Sequence, residues 1–76
     1  MDFTEATDRL MKNVSLADLA RELGASYGLI RQARMDPKSP SYRRPPEGWE
    51  TAVARLAGDR AEELLRLKAE IERVEL

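Results

Sequence analysis

Apolar and polar positions alternate along this chain with a helical period, broken at a few points by serine, glycine or proline. Leu16, Leu19, Ala20 and Leu23 recur at i, i+3, i+4 and i+7, which puts them on one helical face that must be buried. Ser15 stands where an N-cap belongs, and Asp18 three residues later can reach back in a short version of the capping box. Gly24 follows the last apolar residue, where a left-handed conformation is cheap for glycine, so the spacing predicts a helix over 16–23. Ser26 then caps a second helix that turns Ile30 and Ala33 toward the first and points Tyr27, Gly28, Arg31, Gln32 and Met35 elsewhere. This helix ends near Met35, because Asp36 precedes Pro37 and the residue before proline avoids helical geometry. Two helices joined by a short glycine-bearing turn have the form of a helix-turn-helix unit.

The flanking stretches read as support. Asp2 can cap an N-terminal helix with Glu5 three residues on, and Phe3, Thr7, Leu10 and Val14 share one stripe. Burying Phe3 and Leu10 contributes on the order of 1.5–3 kcal/mol each. All four prolines lie between Asp36 and Pro46, which predicts an extended, stiffened loop. Pro46 suits a first helical position, with Glu47 in the first turn, and Trp49, Ala52, Val53 and Leu56 form the next stripe. The single tryptophan reads as a core anchor closing the bundle over the first and third helices. Gly58-Asp59 is either a helix end followed by a new cap or an interior glycine costing about 1 kcal/mol, and the favoured reading is a break or kink. Beyond it Leu64, Leu67, Ile71 and Val74 are spaced 3, 4, 3, the seam of a coiled coil, flanked by Glu63, Arg66, Glu70 and Arg73. Leu64 and Leu67 could also complete the domain's own core, but the stripe as a whole predicts a dimerisation helix and a homodimer. The expected class is all-α: a small helix-turn-helix bundle of four to five helices with a long C-terminal amphipathic helix.

Length and composition narrow the chemistry. Seventy-six residues make one small domain, near the size at which a single core is marginal without oligomerisation. Without cysteine or histidine the chain has no disulfide, thiolate or imidazole chemistry. Its carboxylates read as solvated helix faces, since none sits in an apolar, glycine-bounded setting that would tune a pair. No enzymatic activity, metal, cofactor or small-molecule ligand is therefore expected. No apolar run approaches a membrane span and Met1-Asp2 does not resemble a signal peptide, so a cytoplasmic protein without membrane contact is expected. The net charge of −1 argues against nucleic acid, but its distribution does not. Residues 31–44 carry Arg31, Arg34, Lys38, Arg43 and Arg44 against Asp36, while the rest of the chain is acidic on balance.

The combination of small Ala20, Gly24 four residues on, apolar Ile30 at plus ten and small Ala33 at plus thirteen resembles the lambda-repressor-like (Cro/CI-type) helix-turn-helix family. The likeness is specific over about twenty residues, 16–35, extends more loosely over the first sixty and does not reach the C-terminal helix. It implies a DNA-binding domain over 1–58 with double-stranded DNA as partner, while the coiled-coil spacing, independent of the likeness, assigns 59–76 as a dimerisation helix. It further implies a sequence-specific transcriptional regulator, with repressor as the expected sense, reading a palindromic operator through a recognition helix at 26–35. By that resemblance Tyr27, Gly28, Arg31 and Gln32 meet base edges, with Arg31 suited to guanine and Gln32 to adenine. Gly28 replaces the family's usual longer polar side chain and permits close backbone approach. Ser26, Arg34, Lys38, Tyr42, Arg43 and Arg44 would track the phosphates, the competing reading of the 36–46 loop being a plain linker. Leu64, Leu67, Ile71 and Val74 would join two copies. The alternative to DNA binding is a protein-interaction module, an antiactivator or adaptor that uses the same helical faces on another regulator.

Overall fold

Helices begin where a side chain can satisfy amides that have no intrahelical acceptor. Asp2, Ser15 and Ser26 each adopt extended backbone and accept the amide three residues on, that of Glu5 at 2.8 Å, Asp18 at 3.1 Å and Leu29 at 3.0 Å. In the computed structural model, which describes residues 1–75 with side chains placed through residue 73, these caps start α1 (Phe3–Leu10), α2 (Leu16–Leu23) and α3 (Tyr27–Ala33). The fourth helix among the described residues, α4, runs from Trp49 to Glu75, and no strand is present among them. The all-α bundle with a long C-terminal helix is thus the observed architecture.

Several local features differ from the expectation. The carboxylate of Asp18 does not reach back to Ser15; it accepts from Arg21 at 2.9 Å on the same helix. Helix α3 stops at Ala33, two residues early, with Arg34 as its C-cap. The Asp36–Pro46 loop is not extended in its first half. Ser39 donates to the Asp36 carbonyl at 2.8 Å and Tyr42 to that of Ser39 at 3.1 Å, so two successive turns come first. Helix α4 starts at Trp49 rather than Pro46, because Gly48 at φ 84° turns the chain and the Trp49 amide closes onto the Pro46 carbonyl at 3.3 Å. Finally, α4 passes through Gly58 and Asp59 without a break. The penalty of one interior glycine, about 1 kcal/mol, is outweighed by the strong helix formers Ala, Leu, Glu, Arg and Lys on either side.

The core forms where these helices meet. Leu19 and Ile30 are fully enclosed, with Phe3, Leu10, Val14, Leu16, Ala20, Ala33 and Ala52 buried around them. Thr7 is the one buried polar residue among those described; its hydroxyl donates to the Phe3 carbonyl at 2.8 Å, which removes the cost of enclosing it. Trp49 is half-buried and meets the Phe3 ring edge-on, centroids 5.3 Å apart at 82°. Helix α4 packs on α1 and α2, and α2 packs on α3. After Arg60 every described side chain of α4 is exposed, so the helix leaves the bundle. The radius of gyration is accordingly 15.4 Å, against about 11 Å for a compact chain of this length. Among the described residues no helix is long and apolar enough to cross a membrane.

Candidate nucleic-acid interface

The turn between α2 and α3 fixes which residues of α3 face outward. Gly24 takes a left-handed φ of 63°, its amide donates to the Arg21 carbonyl at 3.2 Å, and Ala25 donates to that of Ala20 at 2.9 Å. This pair of bonds closes α2 and reverses the chain within two residues. Ala20, with its small side chain, is buried beside Ile30 and Ala33 in the same core. With Ile30 and Ala33 turned inward, helical geometry leaves Tyr27, Gly28 and Arg31 on the outer face, and all three are exposed.

The expected contact residues divide into three sets. Ser26, Tyr27, Gly28 and Arg31 are all exposed at the cap, start and middle of α3, with Ile30 buried between the last two. Lys38, Arg43 and Arg44 are exposed cations on the following loop, none with an ion-pair partner among the described residues. The Arg43 amide donates to the Gln32 carbonyl at 3.4 Å, which brings the basic loop against the C-terminal end of α3. Gln32 and Tyr42 are each half-buried at this return.

Arg34 behaves differently from the other cations. It is half-buried, pairs with Asp8 on α1, and its backbone carbonyl accepts from Thr4 at 3.5 Å. It ties the end of α3 to α1, so among the expected phosphate contacts it is the one already paired with a carboxylate of the chain. No local pattern marks this contact, since Asp8 and Arg34 lie 26 residues apart and meet only once the bundle has formed.

Gly28 is informative for what does not surround it. A β-carbon there would meet only the Ser26 hydroxyl, at 4.0 Å, and its φ is not left-handed. Neither packing nor backbone strain within the chain requires glycine at this outward position.

Of the dimerisation set, Leu64, Leu67 and Ile71 are 48%, 51% and 51% exposed on the projecting part of α4. They do not complete the domain's own core. Val74 lies outside the residues whose side chains are described.

Fold and site together define a small all-helical protein with a tightly capped helix pair, an exposed polar face on the second of those helices, a basic loop beside it and an uncovered C-terminal helix. No family model matches the chain, and neither a curated protein nor a solved structure matches it.

Proposed function

We propose that this chain is a sequence-specific DNA-binding transcriptional regulator of the cytoplasm, placing α3 in the major groove and binding a palindromic operator as a homodimer. The observation that carries the reading is the pairing of an exposed α3 face, Ser26, Tyr27, Gly28 and Arg31, with the unpaired cations Lys38, Arg43 and Arg44 on the adjoining loop. A helix that enters the groove needs base-reading side chains along its front and positive charge at its flank for the phosphates. Arg31 is the main candidate for reading a base, through two hydrogen bonds to guanine. Gln32, half-buried, contributes less than its position alone would suggest. Small net charge is no obstacle, because the phosphates meet the local field of residues 31–44 rather than the sum over the chain.

Selection of bound DNA from random sequence with the purified protein tests the reading directly. A palindromic motif is expected. Arg31→Ala should then cost roughly 1–3 kcal/mol on that motif and relax one base preference in each half-site. Retention of no DNA above background would instead favour the second reading, a protein-interaction module. The specific observation on that side is the pair of exposed apolar side chains on and just after α3, Tyr27 at 50% and Met35 at 38%.

A further inference from the structure

The spacing of Leu64, Leu67 and Ile71 does not begin at Leu64. Carried back along α4 it passes through Arg60, Ala57 and Val53, and these residues line a groove of about 460 Å³ whose other wall is Leu10 of α1 together with Val14 in the turn after it. One face of α4 therefore has two unlike halves. Its first half is a walled groove whose lining includes the small residues Ala57 and Ala61 and extends to Leu64; beyond that the helix projects and carries the large residues Leu67 and Ile71.

The charges differ in the same way. The only charged side chains lining the groove are Arg9 and Arg60. Arg60 donates to the Asn13 carbonyl at 3.0 Å and to Glu63 at 3.1 Å, whereas Arg9 has no ion-pair partner among the described residues. Residues 69–76 carry Glu70, Glu72 and Glu75 against Arg73. Glu72 pairs with Lys68 at 2.6 Å, and Glu70 has no ion-pair partner among the described residues.

Resting on the homodimer reading above, we propose that the projecting end of α4 from a second copy fills this groove, the two α4 helices running antiparallel so that each chain's end lies in the other's groove. With the two-fold axis near Glu62, Leu67 stands opposite Ala57 of the second copy, a large side chain against a small one, Ile71 stands opposite its Val53, and Leu64 lies along the aliphatic stem of its Arg60. Glu70 approaches Arg9 of the other copy. A parallel pairing does neither: it stacks Arg60 on Arg60, brings the two α1 helices to the same place and leaves both grooves unfilled.

The chain has no cysteine, so introduced cysteines report on the pairing without background. Ala57→Cys and Leu67→Cys chains, each with native helical content by circular dichroism, are mixed and oxidised in the absence of DNA, and native mass is measured by sedimentation. The expected result is a dimer in which the mixture forms a 57–67 cross-link and neither chain cross-links to itself. Self-cross-linking of Leu67→Cys in a dimer overturns the antiparallel arrangement while leaving a homodimer. A monomer of 8.6 kDa with no cross-link overturns both. Charge exchange is a second, independent test. Glu70→Arg and Arg9→Glu should each weaken the dimer about tenfold, and the two together in one chain should restore it. A double variant no tighter than the singles overturns the placement of the α4 end beside α1. Since DNA is absent throughout, failure of DNA binding leaves these results unaffected.

Discussion

Trp49 to Arg60 and Ala61 to Arg73 are halves of one helix built on one spacing rule, yet the chain covers only the first. In the first half Ala52 is buried and Trp49, Val53 and Leu56 pack against the core made by α1, α2 and α3. In the second half every described side chain is exposed, including Leu64, Leu65, Leu67 and Ile71. Amphipathic spacing thus states that a face needs a partner without stating which one. For a chain of this size the distinction carries weight, because a folded domain holds only about 5–15 kcal/mol of net stability and a single core this small sits at the lower end.

The largest separation between the two regions should come from one residue type placed in each. Leu19 is completely enclosed. Leu19→Ala should cost about 2–5 kcal/mol, the transfer of the lost carbons plus the cavity they leave. Urea denaturation followed by circular dichroism checks this, and a loss under 1 kcal/mol would mean that the bundle is not held where its most buried leucine sits.

Next in size is the turn that orients α3. Gly24 stands at φ 63° with open space where a β-carbon would go, so Gly24→Ala meets no clash and pays only for the left-handed backbone. A loss of about 1–2 kcal/mol is expected in the same denaturation experiment.

Two further glycines sharpen the contrast because they sit inside helices at ordinary φ. Gly28 on α3 and Gly58 on α4 both have room for a methyl group. Each change to alanine should stabilise the fold by up to about 1 kcal/mol. The pair separates once DNA is added: Gly28→Ala should weaken binding in a gel shift if the α3 backbone approaches the duplex closely, and Gly58→Ala should leave it unchanged. Equal DNA affinity for both would remove Gly28 from the interface.

How much of this was legible in the sequence depended on how local each determinant was. The starts of α1, α2 and α3 and the end of α2 were readable, because Asp2, Ser15, Ser26 and Gly24 act on amides and carbonyls within a few residues of themselves. The buried stripe Phe3, Thr7, Leu10 and Val14 was readable for the same reason, although the helix itself ends at Leu10. The start of α4 was misread because Pro46-Glu47 carries every local mark of a first turn, while Gly48 two residues later turns the chain instead. Continuity through Gly58 was a balance of small propensities that one glycine could not decide. The candidate site followed the same rule. Exposure of Tyr27, Gly28 and Arg31 follows from the inward set Ile30 and Ala33, whereas the engagement of Arg34 by Asp8 and the partial cover of Gln32 depend on α1 and on the returning loop.

The smallest effect is the one that best isolates the projecting half of α4. Leu67 is 51% exposed and belongs to no buried cluster, so in a single chain Leu67→Gln removes no packing. At protein concentrations dilute enough to give monomer, its unfolding free energy should stay within about 0.5 kcal/mol of the parent. At high concentration the parent gains stability from association, since anything that binds only the folded state adds to it by mass action, and Leu67→Gln should lose that gain. The measurement is the midpoint of thermal unfolding across a hundredfold range of concentration. A midpoint that rises for the parent and stays flat for the variant locates the missing cover of this face in another copy of the chain. A midpoint flat for both assigns that cover to something other than a second copy, and with it the half of α4 that the chain's own core does not explain.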